Sequence, residues 1–158
     1  MEYRVEQKYL VSEGQILFLQ KQLEGCMAYD KHYPDGEPYT IRSVYFDDVY
    51  DSFLQENEDG TDNREKYRIR IYNGDLSRIH LECKSKVHGF TKKQKQSLTY
   101  EDALCYINKE QVKIRKEDGY LKKKLYALQQ MNHFQVVQIV EYERIAMIEE
   151  IGNVRVTF

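Results

Sequence analysis

The chain has 158 residues, long enough for one domain with a real hydrophobic core. Its 24 Lys and Arg against 26 Asp and Glu leave a net charge of -2, which excludes a chain that is basic throughout, so any positive field must be local. No apolar run approaches the roughly 20 residues of a membrane helix, MEYRVEQKYL has no signal-peptide pattern, and the odd set Cys26, Cys83 and Cys105 offers no metal pair, so a cytoplasmic chain with buried reduced thiols is expected.

YRVEQKYLV (3–11) alternates and predicts a strand, with Arg4, Glu6 and Lys8 on one face. Ser12 and Gln15 form a capping box ahead of Ile16, Leu19 and Leu23, which predicts a helix over 13–24 closed by Gly25. Residues 30–38 hold both prolines and read as a loop. YTIRSVYFD (39–47) is a strand, 49–55 a short amphipathic segment and 57–63 a polar loop. REKYRIRIY (64–72) places Arg64, Lys66, Arg68 and Arg70 at every second position, so all four share one face of a strand. Asn73, Gly74 and Asp75 signal a hairpin turn. The returning strand, 78–87, carries His80, Glu82, Lys84 and Lys86 on one face and Ile79, Leu81, Cys83, Ser85 and Val87 on the other. After a turn at Gly89, FTKKQKQSL (90–98) adds Lys93 and Lys95.

Thr99 with Asp102 opens a helix to about residue 108. The stripe Leu121, Leu125 and Leu128 predicts a core-facing helix over about 117–131, with the basic stretch 113–124 as its solvated side. Residues 133–150 read as one long strand or two joined at a bulge, and 154–158 begin a last one. The expected class is α+β, about seven antiparallel strands in meander order with helices between them.

The charged strand faces collect Arg4, Glu6, Lys8, Arg42, Arg64, Lys66, Arg68, Arg70, Glu82, Lys84, Lys86, Lys93, Lys95, Arg144 and Arg155. Neighbouring antiparallel strands set such faces side by side, where like charges opposite one another are unfavourable. A bound polyanion offsets that repulsion. Arginine offers planar forks that match phosphate oxygens, and lysine offers mobile point charges. A solvated outer face explains any one such strand, but five consecutive strands with alternating cations favour a cationic lumen or groove.

The order of motifs resembles a known family. R-x-E-x-K (Arg4, Glu6, Lys8) is similar to the opening motif of the triphosphate tunnel metalloenzyme (CYTH-like) superfamily. S-x-Y-F-D (Ser43, Tyr45, Phe46, Asp47), R-x-K-x-R-x-R-x-Y (Arg64 to Tyr72), L-E-x-K (Leu81, Glu82, Lys84), the Lys93 and Lys95 strand, Y-x-R (Tyr142, Arg144) and V-R-V-T (Val154 to Thr157) follow in the order of its VTC-type polyphosphate polymerase domain. The resemblance implies an antiparallel β-barrel or tunnel with flanking helices and a basic lumen. It implies metal-dependent transfer of the γ-phosphate of ATP onto a polyphosphate chain, with Mn or Mg as cofactor.

Carried onto this chain, the resemblance makes Lys8, Arg68, Arg70, Lys84, Arg144 and Arg155 catalytic. It makes Arg64, Lys66, Lys93, Lys95 and Tyr142 phosphate-binding, and Glu6 and Glu82 metal ligands. The family continues past V-R-x-T with a second L-E-x-K-type motif, so the expectation for 1–158 is a VTC-like domain without its C-terminal strands, whose open edges suit pairing with another copy. ATP and polyphosphate are the expected partners, with no nucleic acid and no membrane segment in this chain. Tunnel triphosphatase activity and non-catalytic polyanion binding are the alternatives. Binding of single-stranded nucleic acid ranks last, because Tyr67 points away from the cations of its strand. His80 reads as a phosphate-adjacent side chain rather than half of a metal pair with Glu82, and Asp47, Asp48 and Asp51 read as helix-start chemistry.

Overall fold

A computed structural model describes residues 7–30 and 38–158. In chain order the elements are α1 (Glu13–Leu23), β1 (Ala28–Tyr29), β2 (Tyr39–Asp47), α2 (Ser52–Glu58), β3 (Arg64–Tyr72), β4 (Ile79–Val87), β5 (Phe90–Leu98), α3 (Tyr100–Ile107), α4 (Tyr120–Asn132), β6 (Gln135–Arg144), β7 (Ala146–Glu149) and β8 (Val154–Thr157). They form two compact units: residues 40–143, and residues 1–39 with 144–158.

The larger unit holds a five-stranded sheet in the order β5-β4-β3-β2-β6. β2 to β5 run as an antiparallel meander, with α2 in the β2–β3 connection, residues 73–78 between β3 and β4, and His88-Gly89 as a tight turn between β4 and β5. Asn73 and Gly74 sit at φ 50 and 68, and His88 and Gly89 at φ 50 and 78. Two successive residues at positive φ are what the right-handed twist of a hairpin selects. One face of this sheet is the core. Val44, Phe46, Tyr67, Ile69, Leu81 and Cys83 pack there against Tyr106, Leu121, Leu125 and Phe134. Phe134 meets Phe53 at 4.8 Å and Tyr67 at 5.6 Å, both edge to face. The predicted leucine stripe of α4 is therefore core, as its spacing required.

The basic stretch before and within α4 is not uniformly solvated. Lys122 is buried, with its ammonium 2.6 Å from Asp102 and 3.1 Å from Asp118. Lys124 reaches Glu65 at 2.7 Å, closing off the one acidic residue on the apolar face of β3. Of the cysteines, Cys83 is buried, and burial pushes its thiol pKa up, as suits an inert thiol. Cys26, however, is exposed, because the α1 region offers it no covering layer.

In the smaller unit, α1 begins with the expected reciprocal cap: Gln15 N donates to Ser12 Oγ and Ser12 N to Gln15 Oε1. A three-stranded sheet runs β1-β7-β8. The predicted first strand is corrected in part. Residues 7–11 have no regular structure and no paired strand among the described residues, and 7–10 are exposed. Arg4 and Glu6 lie outside the described residues. Of the two readings of 133–150, two strands is the one observed: they meet at Ile145, whose N–H and C=O both bond to Phe158, and β6 and β7 belong to different sheets rather than continuing through a bulge. The class is mixed α+β with antiparallel sheets, and neither sheet closes into a barrel among the described residues.

Asp47 ends β2 by capping α2. Its carboxylate accepts from the N–H groups of Asp48, Phe53 and Leu54 at 2.8–3.0 Å, and Asp48 accepts from Tyr50 and Ser52. These bonds satisfy donors that a helix start leaves open. Asp47→Ala is expected to cost about 1–2 kcal/mol, read as a lowered urea midpoint at unchanged m-value. No change in midpoint would mean that the cap is not needed.

Candidate functional site

The strand register turns the alternating cations into a two-dimensional array. Across β3, β4 and β5 the facing Cα partners form successive rows: Arg64, Lys86 and Thr91; Lys66, Lys84 and Lys93; Arg68, Glu82 and Lys95; Arg70, His80 and Ser97. Partners directly across antiparallel strands point to the same side, so Arg64, Lys66, Arg68, Arg70, Lys84, Lys86, Lys93 and Lys95 share one face. Glu82 is the single carboxylate in these rows. β2 extends the face, since Ser43 is the partner of Arg70 and Tyr45 that of Arg68. Arg42 is a correction: its partner is Ile71, so it points to the opposite face, where it pairs with Glu141.

The centre of the array is pinned. Arg68 donates through Nε to Glu82 Oε2 at 2.9 Å, its Nη2 is 2.7 Å from the same oxygen, and its Nη1 donates to Tyr45 Oη at 3.1 Å. Arg70 donates through Nε to Ser43 Oγ at 2.9 Å and through Nη2 toward Tyr142 Oη at 3.5 Å. Lys93 Nζ stands 2.9 Å from Glu82 Oε1 but off the hydrogen-bond direction, so that buried oxygen keeps an unfilled acceptor site. The Glu82 side chain is 2% exposed and that of Arg70 6%, so their charges act where water screens poorly. The outer lysines, Lys66, Lys84, Lys93 and Lys95, are exposed.

Protonation states follow from these contacts. Burial by itself pushes the Glu82 carboxyl pKa up, but the close contact of the Lys93 ammonium and the hydrogen bond and charge of Arg68 outweigh it and hold the pKa below the usual carboxylate value. His80 is pushed below its ordinary value first by burial and then by the Lys95 charge, so it is neutral at pH 7. The face therefore carries a large positive excess that a neutral His80 does not enlarge. A depressed carboxyl pKa contributes stability that is present above the unfolded value near 4.3 and is lost as pH falls through the folded value. Glu82→Gln is therefore expected to flatten the fall of stability with pH below about pH 4, measured by urea unfolding at several pH values. An unchanged acid slope would remove Glu82 as a contributor.

The remaining site residues expected from the sequence belong to the smaller unit or lie outside the described residues. Arg155 pairs with Asp30, and Arg144 donates to Thr157 Oγ1 at 3.2 Å with its guanidinium 5.8 Å from the Tyr39 ring; all five belong to the smaller unit. Lys8 occupies an exposed position ahead of α1, and Glu6 lies outside the described residues. Two residues that hold the arginines, Ser43 and Tyr45, were legible only as parts of the S-x-Y-F-D motif. Their i, i+2 spacing opposite Arg68 and Arg70 was the available signal, and it needed the register to be read.

Glu82 is the one described candidate for a metal ligand, and its oxygens already face Arg68, Arg70 and Lys93. No cluster of three or more His, Cys, Asp or Glu side chains able to hold a metal ion occurs among the described residues. By itself, one such carboxylate falls short of the several oxygen ligands that a resident Mn or Mg ion requires.

A family model described as the VTC domain matches residues 3–158. Among solved structures, that of a "putative adenylate cyclase" from Vibrio parahaemolyticus matches with a TM-score of 0.48 and 12% identity over 94% of this chain and 62% of that one. The chain thus spans less than two thirds of the length of that solved relative. No curated protein matches.

Proposed function

The chain belongs to the VTC domain family, and from that premise we propose that residues 1–158 are a polyphosphate polymerase domain whose cationic face binds ATP and a growing polyphosphate chain. The row Lys66, Lys84 and Lys93 is the observation that carries this reading. Three like charges side by side destabilise a sheet, and a chain of phosphates laid across them offsets the repulsion.

In the proposed reaction a terminal phosphate oxygen of the chain attacks the γ-phosphorus of ATP. The bond from that phosphorus to its bridging oxygen breaks, ADP leaves, and the chain is one phosphate longer. Such transfer needs positioning and charge neutralisation rather than a nucleophilic side chain. Arg68 and Arg70 suit it because Tyr45 and Ser43 already hold their forks in place. Lys84, Lys93 and the outer cations would track the chain, and Lys8, Arg144 and Arg155 remain proposed contacts. A divalent ion would arrive as part of the nucleotide, on phosphate oxygens, which are the hard ligands it prefers. A cytoplasmic location is proposed as well; no described helix is long and apolar enough to cross a membrane.

The test is calorimetric titration with long-chain polyphosphate and with ATP, each with and without Mn, followed by an assay for polyphosphate formation. Expected are salt-sensitive binding of both ligands and ATP-dependent chain growth. Release of inorganic phosphate without chain growth would favour a tunnel triphosphatase, and binding without turnover a polyanion-binding module. A folded protein that binds neither ligand would overturn the proposal.

A further inference from the structure

We infer that a cavity beside the cationic face receives the base of the nucleotide, an inference that rests on the polymerase reading and assigns it a second subsite. The cavity measures about 340 Å³, a size typical of small-molecule sites, and lies between the end of β2, α2 and the start of β6. It is continuous with the phosphate face through two side chains. Tyr45 forms part of its wall while its hydroxyl accepts from Arg68, and Lys66 lies at its rim with Nζ 4.8 Å from the Tyr45 ring centre. A ligand extending from the arginines past Lys66 thus enters a different chemical environment.

That environment suits a flat, weakly polar group. Phe53 lines it together with Leu54 and Val137, two aliphatic residues that keep 47% and 45% of their overall surface exposed. An aromatic wall with aliphatic neighbours is a stacking platform for a nucleobase.

Asp51 adds an exposed polar group that does not cap its helix. It stands at the N-cap position of α2, yet its side chain makes no cap bond, because Asp47 and Asp48 have already taken the N–H groups of Ser52, Phe53 and Leu54. Asp51 is among the residues that line the same cavity. A carboxylate accepts from an exocyclic amine and repels a carbonyl oxygen at the same place. The ligand that joins these features is a purine nucleoside triphosphate with a 6-amino group.

The experiment compares ATP, ITP and inorganic tripolyphosphate in calorimetric titrations of the wild type, Val137→Trp and Asp51→Ala. Tripolyphosphate carries more charge than ATP, so a preference for ATP cannot come from charge alone. The wild type is expected to bind ATP about tenfold more tightly than tripolyphosphate. Val137→Trp, which fills the cavity, should erase that preference while leaving tripolyphosphate binding unchanged. Asp51→Ala should erase a preference for ATP over ITP, and it decides the matter if the tryptophan variant does not fold. Equal binding of ATP and tripolyphosphate by the wild type would overturn the base subsite and leave the phosphate reading standing. Binding of neither would instead sink the polymerase reading itself.

Discussion

Replacing Arg68 and Arg70 together by alanine is expected to weaken polyphosphate binding by about 10²- to 10⁴-fold. Hydrogen bonds to charged groups contribute roughly 1.5–3 kcal/mol each, and the two guanidinium groups supply one such contact apiece at the least, which converts to that range. The same change would strand Glu82, a 2% exposed carboxylate, with Lys93 as its remaining close cation. Removing the partners of a buried charge costs about 3–5 kcal/mol, so lost binding could reflect lost folding. Adding Glu82→Gln separates the two effects. The triple variant no longer buries an unpaired charge and should recover thermal stability, while its affinity for polyphosphate stays low. If the triple variant is folded and binds as tightly as the wild type, the arginines are not phosphate ligands.

The second large effect concerns a residue outside that face. Lys122→Ala is expected to lower stability by about 3–5 kcal/mol, or about 6–20 °C in Tm for a domain of this size. Its side chain is 3% exposed and bridges Asp102 at the start of α3 and Asp118 ahead of α4, so its loss leaves two carboxylates facing each other. Its carbonyl also accepts from Tyr106 Oη at 2.7 Å, a bond that the alanine variant retains. The measured loss would therefore report the charges rather than the backbone link. Because α4 packs on the apolar side of the sheet, the folded fraction should bind polyphosphate normally. A loss below about 1 kcal/mol would class the cluster with ordinary surface ion pairs.

Much of this protein is written locally. The period of two in REKYRIRIY, the turn residues Asn73, Gly74 and Gly89, the Ser12 cap and the Leu121, Leu125 and Leu128 stripe each specify an element through neighbours a few residues away, and each element formed where expected. The sharing of one face by Arg64, Lys66, Arg68 and Arg70 also follows from the chain, since side chains on a strand must alternate.

Tertiary structure decided what those local signals leave open. The alternation of 133–150 leaves one strand or two open, and that the two halves enter different sheets depends on pairing with distant residues, Ile145 with Phe158 among them. Lys122 looks like every other lysine in KIRKEDGYLKKK, and only the packing of α4 against α3 buries it beside two aspartates. Arg42 alternates as the other cations do, yet the register of β2 on β3 sends it to the opposite face. Sequence periodicity thus determines which side chains of one strand belong together. Which strands lie side by side, and therefore which charges meet, depends on long-range pairing and burial, and these exist only once the chain has folded.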